Sequence, residues 1–190
     1  LNPYRGAMSA VAEAARNCVC VGAEPVAITN CLNFGNPYDP EVYYQFAEAI
    51  RGMGDMCRAL NTPVTGGNVS FHNESQQHAV FPTPTIGMLG LIDDITTVIG
   101  NAFVNENEHV LMLGWQRSEL GGSEYLKTIK GRVTGEAPFI DIDEEVRLQR
   151  ATLLAIRSGL ITAAHDCSEG GLLVALSEMT FGKGLGATID

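Results

Sequence analysis

The chain has 190 residues, 45% apolar and 18% charged, with 12 Lys and Arg against 22 Asp and Glu and a net charge of −10. That apolar content supports a packed core and excludes a disordered polymer, and the negative balance excludes a nucleic acid partner, whose phosphates are held by Lys and Arg. No segment approaches the ~18 uninterrupted apolar residues of a membrane helix, and no charged region followed by an apolar core marks a signal peptide, so a cytoplasmic protein with no membrane partner is expected.

Taken in order, Ala7, Val11, Ala14, Ala15, Cys18 and Val19 recur at helical period and predict a first helix from about Gly6, stopped by Gly22. Pro25 to Leu32 is a short apolar run that reads as a buried strand, leading into the loop Asn33-Phe34-Gly35-Asn36-Pro37. A second helix is expected from Pro40, with Val42, Phe46, Ala49, Ile50, Met53, Cys57 and Leu60 on one face. Pro63 to Thr65 reads as a strand opening into Gly66-Gly67-Asn68-Val69-Ser70. A polar segment, His72 to His78, follows. Thr85 to Ile92 is then a third strand, too apolar for an exposed sheet face.

The composition turns polar between Thr96 and Asn107, which places a domain boundary there. Beyond it, strands are expected at His109 to Trp115 and Leu160 to Ala164. A short helix should follow Gly121-Gly122-Ser123-Glu124, a long one should start near Asp143, and a last one should carry Leu172, Leu173, Leu176 and Met179. The long helix sets Val146, Leu153 and Leu154 to one side and Arg147, Arg150 and Arg157 to a solvated face. Trp115 reads as core or boundary packing. The chain starts at Leu1 in near-immediate helix and stops on the alternating Ala187-Thr188-Ile189-Asp190, as an internal piece of a longer polypeptide would.

Chemistry is sparse. Five scattered cysteines without C-x-x-C spacing read as buried, reduced thiols. The four histidines lack metal-ligand spacing, and neither a serine elbow nor a Walker loop is present. What remains is a set of strand-to-glycine loops, by spacing alone more often tight turns than cradles where backbone N–H groups approach an anion. Within Gly66 to Ser70, Asn68 and Ser70 lie two residues apart and point the same way in extended backbone. An Asn carbonyl can bind Mg2+ and a Ser hydroxyl can hold a substrate polar group. Asn30, Asn33 and Asn36 form a second polar cluster.

Together, Asn2-Pro3-Tyr4-Arg5-Gly6-Ala7, Gly22-Ala23-Glu24-Pro25, Leu32-Asn33-Phe34-Gly35-Asn36-Pro37, Gly66-Gly67-Asn68-Val69-Ser70, Pro82-Thr83-Pro84 and His165-Asp166-Cys167-Ser168-Glu169-Gly170-Gly171-Leu172 resemble the phosphoribosylformylglycinamidine synthase family over essentially the whole chain. The resemblance is to the second half of its synthetase subunit. It implies a mixed α/β (α+β) fold of the PurM-like ATP-binding superfamily, with residues 1–103 as an N-terminal-type A domain lacking its first strands and 104–190 as the start of a C-terminal-type B domain. The implied activity is ATP-dependent amidation of formylglycinamide ribonucleotide by glutamine-derived ammonia, in purine biosynthesis. The implied cofactors are ATP and Mg2+. The implied partners are the first half of the same polypeptide, a glutaminase subunit, a small accessory subunit and the ribonucleotide substrate.

Residue by residue, the resemblance implies that Asn30 and Gly67 contact ATP, Asn68 contributes to a Mg2+ site and Ser70 touches the ribonucleotide. No catalytic residue is carried over, since the family's histidine belongs to the other half. Asn30 stands where many relatives have aspartate, so a negative charge beside the nucleotide is missing. Two alternatives are a structural half that holds an auxiliary nucleotide, and a related synthetase of the aminoimidazole ribonucleotide or selenophosphate type.

Overall fold

The computed structural model describes residues 1–76 and 78–189. Helix α1 (Pro3–Cys20) starts three residues earlier than the apolar stripe alone suggests, because Asn2 caps it by accepting from the Arg5 amide at 3.0 Å and Pro3 occupies its first turn. It is followed by β1 (Glu24–Asn33), α2 (Pro40–Leu60), β2 (Val64–Ser70) and β3 (Thr85–Leu91). Asp39 caps α2 through the Glu41 amide at 2.8 Å. The three strands form one sheet in the order β2-β1-β3, with β1 parallel to β2 and antiparallel to β3. The β1-α2-β2 segment is thus a parallel crossover unit.

Both helices cover the same face of this sheet. Ala7, Met8, Val11 and Ala12 of α1, and Ala49, Met53, Met56 and Cys57 of α2, enclose Ile28, Leu32 and Phe34 in one core, with Ile86 and Met88 of β3 packed against it. The helices touch backbone to backbone at Gly52, where a Cβ would overlap the Tyr4 carbonyl. Ile50, assigned above to the apolar face, is 40% exposed because the contact with α1 is centred on Gly52, Met53 and Met56 instead.

Nothing among the described residues covers the sheet's other face, which corrects the expectation of fully buried strands. Along β3 the residues alternate between exposed and half-buried, and Leu89 and Leu91 are exposed. On β1 only Ile28 and Leu32 are buried, while Thr29 is exposed. Helix cover on one side alone produces this period of two.

The second part is held by helices. A single turn at Ile95–Thr97 precedes α3 (Glu124–Lys130), α4 (Ile142–Arg157) and α5 (Gly171–Met179). Helix α4 packs on α1, burying Glu145, Gln149, Leu153 and Ile156, and leaves Leu154 exposed, against expectation, one residue round the helix from its seam. Across that seam Arg16 Nε donates to Glu145 Oε1 at 2.7 Å, and Gln149 Nε2 donates to the Ala12 carbonyl at 3.2 Å. Phe139 lies between Arg5 and Arg117, whose guanidinium carbons stand 5.7 and 4.8 Å from its ring centroid, and so ties the first turn of α1 to the second part.

The strands expected at His109 to Trp115 and Leu160 to Ala164 are not formed. The first lies exposed with no partner strand, so Trp115 is 80% exposed instead of packed; the second contributes one parallel bridge, Ala163 to Gly100. A β-prone sequence becomes a strand only when another strand supplies its hydrogen bonds. Residues 187–189 likewise form no strand, and Asp190 lies outside the described residues. Of the Arg triplet on α4, Arg147 and Arg150 are exposed, while Arg157 approaches Glu24 at 3.4 Å.

Candidate functional site

The segment read as a loop, Gly66 to Ser70, is the body of β2, and this is what assembles the candidate residues. In the parallel register Asn30 lies opposite Gly67, Cys31 opposite Asn68 and Asn33 opposite Ser70. All four predicted positions therefore fall on the adjacent C-terminal halves of two parallel strands, where open α/β sheets present groups to ligands. Alternation then divides them. Asn68 and Ser70 share the open face with Cys31 and Asn33, whereas Asn30 has the parity of buried Ile28 and Leu32.

Gly67 is required by that arrangement. Its φ is +142°, and a Cβ there would overlap the Asn30 carbonyl and lie 2.5 Å from Asn30 Oδ1. A Cβ on Gly66, one residue earlier, would meet nothing within 4 Å, so bare backbone faces open space beside Asn68.

Asn68 is oriented by its neighbour across the sheet. Its Nδ2 donates to Asn33 Oδ1 at 3.3 Å, and Asn33 Nδ2 is turned toward Cys31 Sγ at 3.3 Å. With its amide nitrogen turned to Asn33 through one proton, Asn68 leaves its carbonyl oxygen open to a cation. As a cation site the row is lean: Val26 to Asn33 and Val64 to Ser70 contain no carboxylate, and no group of three His, Cys, Asp or Glu among the described residues could hold a metal. The donors fit a Mg2+ ion held chiefly by phosphate oxygens, with Asn68 as one neutral ligand.

The ends of both strands are clamped from below. Phe34 and Phe71 each follow a site residue, Asn33 and Ser70, and therefore point to the opposite face. There they pack edge-on against Phe46 of α2, with centroids 5.2 and 5.0 Å away. The Phe34 amide donates to the Ser70 carbonyl at 2.9 Å and the His72 amide to the Gly35 carbonyl at 3.0 Å. Asn36, grouped above with Asn30 and Asn33, instead forms a turn by accepting from the Tyr38 amide at 3.0 Å.

Sequence reasoning missed Asn73. Its side-chain amide reaches Ser70 Oγ, the Ser70 carbonyl and the Phe34 carbonyl, all within 3.3 Å. The available signal was a Ser three residues before an Asn, a spacing that closes side-chain turns.

Elsewhere, a groove of about 460 Å3 lined by Ala14, Cys18, Ile86, Met88 and Gly90 runs between α1 and β3; none of the four site residues lines it. All five cysteines are free, but the expectation of burial holds for Cys57 alone; Cys167 is exposed because its loop has no cover. Burial, reinforced by Asp166, pushes the Cys20 thiol up to about 11. His165 Nε2 lies 3.1 Å from Glu178 Oε2, a structural tie between its loop and α5.

With its fold and polar strand ends, the chain belongs to the AIR synthase related proteins: residues 1–92 match the N-terminal domain of that family and residues 105–190 its C-terminal domain. Within it, the chain is 53% identical over 190 residues to phosphoribosylformylglycinamidine synthase subunit PurL of Moorella thermoacetica, and 55% identical over 197 residues to that of Salinibacter ruber. Both matches take in 100% of this chain and 26% of the relative, so the chain spans about a quarter of the length of the curated proteins it matches. Among solved structures, Thermotoga maritima PurL complexed with FGAR superposes with a TM-score of 0.60 at 24% identity, over 92% of this chain and 24% of that one. The same protein complexed with ATP gives 0.57 at 24% identity, over 92% of this chain and 25% of that one. These likenesses establish the PurM-like fold. No helix among the described residues is long and apolar enough to cross a membrane.

Proposed function

We propose that this chain forms one wall of the ATP and substrate site of a cytoplasmic phosphoribosylformylglycinamidine synthase, a carbon-nitrogen ligase of purine biosynthesis that amidates formylglycinamide ribonucleotide with ammonia from glutamine. The observation that carries this reading is the register of β1 and β2, which sets Asn30 against Gly67 and aligns Asn68 and Ser70 on one open face. The PurL relatives matching the whole chain, and the FGAR and ATP complexes of the Thermotoga maritima protein, support the substrate and the nucleotide.

Residues 1–103 act as the A domain and 104–190 as the start of the B domain. Asn30 and the Gly67 backbone contact ATP, Asn68 offers its free carbonyl to Mg2+, and Ser70 meets the ribonucleotide. When bound, the metal neutralises phosphate charge during phosphoryl transfer to the substrate amide oxygen. This chain's residues bind and orient, and the aromatic clamp under Asn33 and Ser70 holds them still while they do so. The proton-transfer group and the ammonia source belong to the first half of the polypeptide and to glutaminase and accessory subunits. The open sheet face is where the rest of the polypeptide adds its share.

The test is kinetic. In the complete polypeptide, Asn68→Ala and Ser70→Ala should each lower kcat/KM about tenfold, the scale of one lost polar contact in a closed site. Unchanged kinetics in both would sink the assignment. A second reading is favoured by the lack of any carboxylate along both strand segments: the half-site holds a nucleotide without turning it over. Radiolabelled nucleotide that stays bound through many catalytic cycles would select this second reading.

A further inference from the structure

We propose that Asn73 is a positioning residue that fixes Ser70 as a hydrogen-bond acceptor, so that the substrate group read there is a donor, a ribose hydroxyl or an amide N–H, and not a phosphate oxygen. The inference rests on Ser70 touching the substrate and specifies what it touches.

Asn73 is anchored by its own backbone. His72 adopts a left-handed φ of 58°, which folds the chain back over the strand ends. The Asn73 amide then donates to the Phe34 carbonyl at 3.0 Å, and its carbonyl accepts from the Val80 amide at 3.0 Å. This brings Nδ2 to 2.9 Å from the Ser70 carbonyl, 3.0 Å from the Phe34 carbonyl and 3.2 Å from Ser70 Oγ. The reverse orientation of the side-chain amide would press Oδ1 against two carbonyl oxygens, so the orientation is determined.

An amide carries two protons, and the two shorter contacts, both to carbonyls, take them. The third contact, from Nδ2 to Ser70 Oγ at 3.2 Å, is the longest and shares a proton with a carbonyl. The Ser70 hydroxyl's own proton goes to Asn73 Oδ1 at 3.3 Å, which leaves lone pairs, and no proton, as what the hydroxyl offers a substrate. An ionised phosphate oxygen has no proton to offer those lone pairs. A sugar hydroxyl or an amide N–H has one.

The experiment is a double-mutant cycle in the complete polypeptide, with Asn73→Leu, Ser70→Ala and their combination, read as KM for formylglycinamide ribonucleotide, KM for ATP and kcat. Asn73→Leu should raise the ribonucleotide KM about fivefold, with kcat and the ATP KM nearly unchanged, and add less than about twofold once Ser70 is alanine. Inhibition by inorganic phosphate should be the same in Ser70→Ala as in the parent. An equal effect of Asn73→Leu in both backgrounds, an equal rise in the ATP KM, or weaker phosphate inhibition in Ser70→Ala would each overturn the inference. If Asn73→Leu does not accumulate as folded protein, Asn73→Ser keeps a donor for one carbonyl while withdrawing the Oδ1 to which Ser70 donates, and the cycle is run on it with the same criteria. A silent Ser70→Ala would sink the underlying reading of Ser70, whereas an impaired Ser70→Ala beside a silent Asn73→Leu sinks this inference alone.

Discussion

The two parts of the chain use similar proportions of apolar residues to different ends. In residues 1–92 two helices close over one face of a three-stranded sheet, and Val11, Ile28, Phe34 and Met56 are all but inaccessible. Beyond residue 105, Leu111, Leu113 and Trp115 stand in solvent, and the part is fixed mainly by what α4 and Phe139 do to α1. A core forms where a crossover supplies parallel partners within about 40 residues. Where no partner strand is at hand, the same alphabet stays open.

The sharpest way to break the comparison is a pair of aromatic truncations read by melting of the complete polypeptide. Phe34→Ala should cost about 4 kcal/mol, as for a fully enclosed ring, and Trp115→Ala less than about 0.5 kcal/mol. Similar losses would show that the second part is packed as tightly as the first. Next in size is Gly52→Ala, which drives a methyl into the Tyr4 carbonyl and should cost about 3 kcal/mol by separating α1 from α2. No change in melting would mean the helices do not touch there.

Between the parts, Glu145→Ala leaves Arg16 and the Gln149 amide facing a gap at a side chain 10% exposed, and should cost about 2 kcal/mol, discounted for the more accessible arginine. A stabilised variant would place the seam elsewhere. Cys20, at the same junction, gives a pH effect. The unfolded thiol releases its proton near 9 and the folded one near 11, so stability is full below pH 9 and declines as pH rises through 11. Cys20→Ala should flatten that alkaline decline in a melting series, and an unchanged slope would remove burial as its cause. The smallest effect is expected from Arg157→Ala, whose pairing with exposed Glu24 should contribute under about 1 kcal/mol.

Much of the first part was legible because helical and strand periods there agree with what they pack against. Ala7, Val11 and Val19 mark the buried side of α1, and Met53 and Cys57 that of α2. The start of α1 was missed by reading its stripe and not its cap, although Asn2-Pro3 carries that signal. The candidate site was legible as residues but not as geometry. The sequence shows two glycines, an Asn and a Ser, yet only pairing of β2 with β1 reveals that Gly67 must lack a side chain and that Asn30 faces away from Asn68. In the second part, His109 to Trp115 has strand chemistry, and periodicity carries no information about whether a neighbour exists to pair with it.

The open sheet face has a colloidal consequence. Leu89 and Leu91 expose 59% and 53% of their surface there, on a chain of net charge −10 and pI about 4.8. Wherever this face is not covered by another part of a polypeptide, mutual repulsion is what keeps such surfaces apart, and the Debye length shrinks from about 30 Å at 0.01 M salt to about 3 Å at 1 M. Light scattering from the bare chain should therefore rise with salt at neutral pH and rise most steeply as pH approaches 4.8, so that ionic strength acts as the cover the sheet lacks.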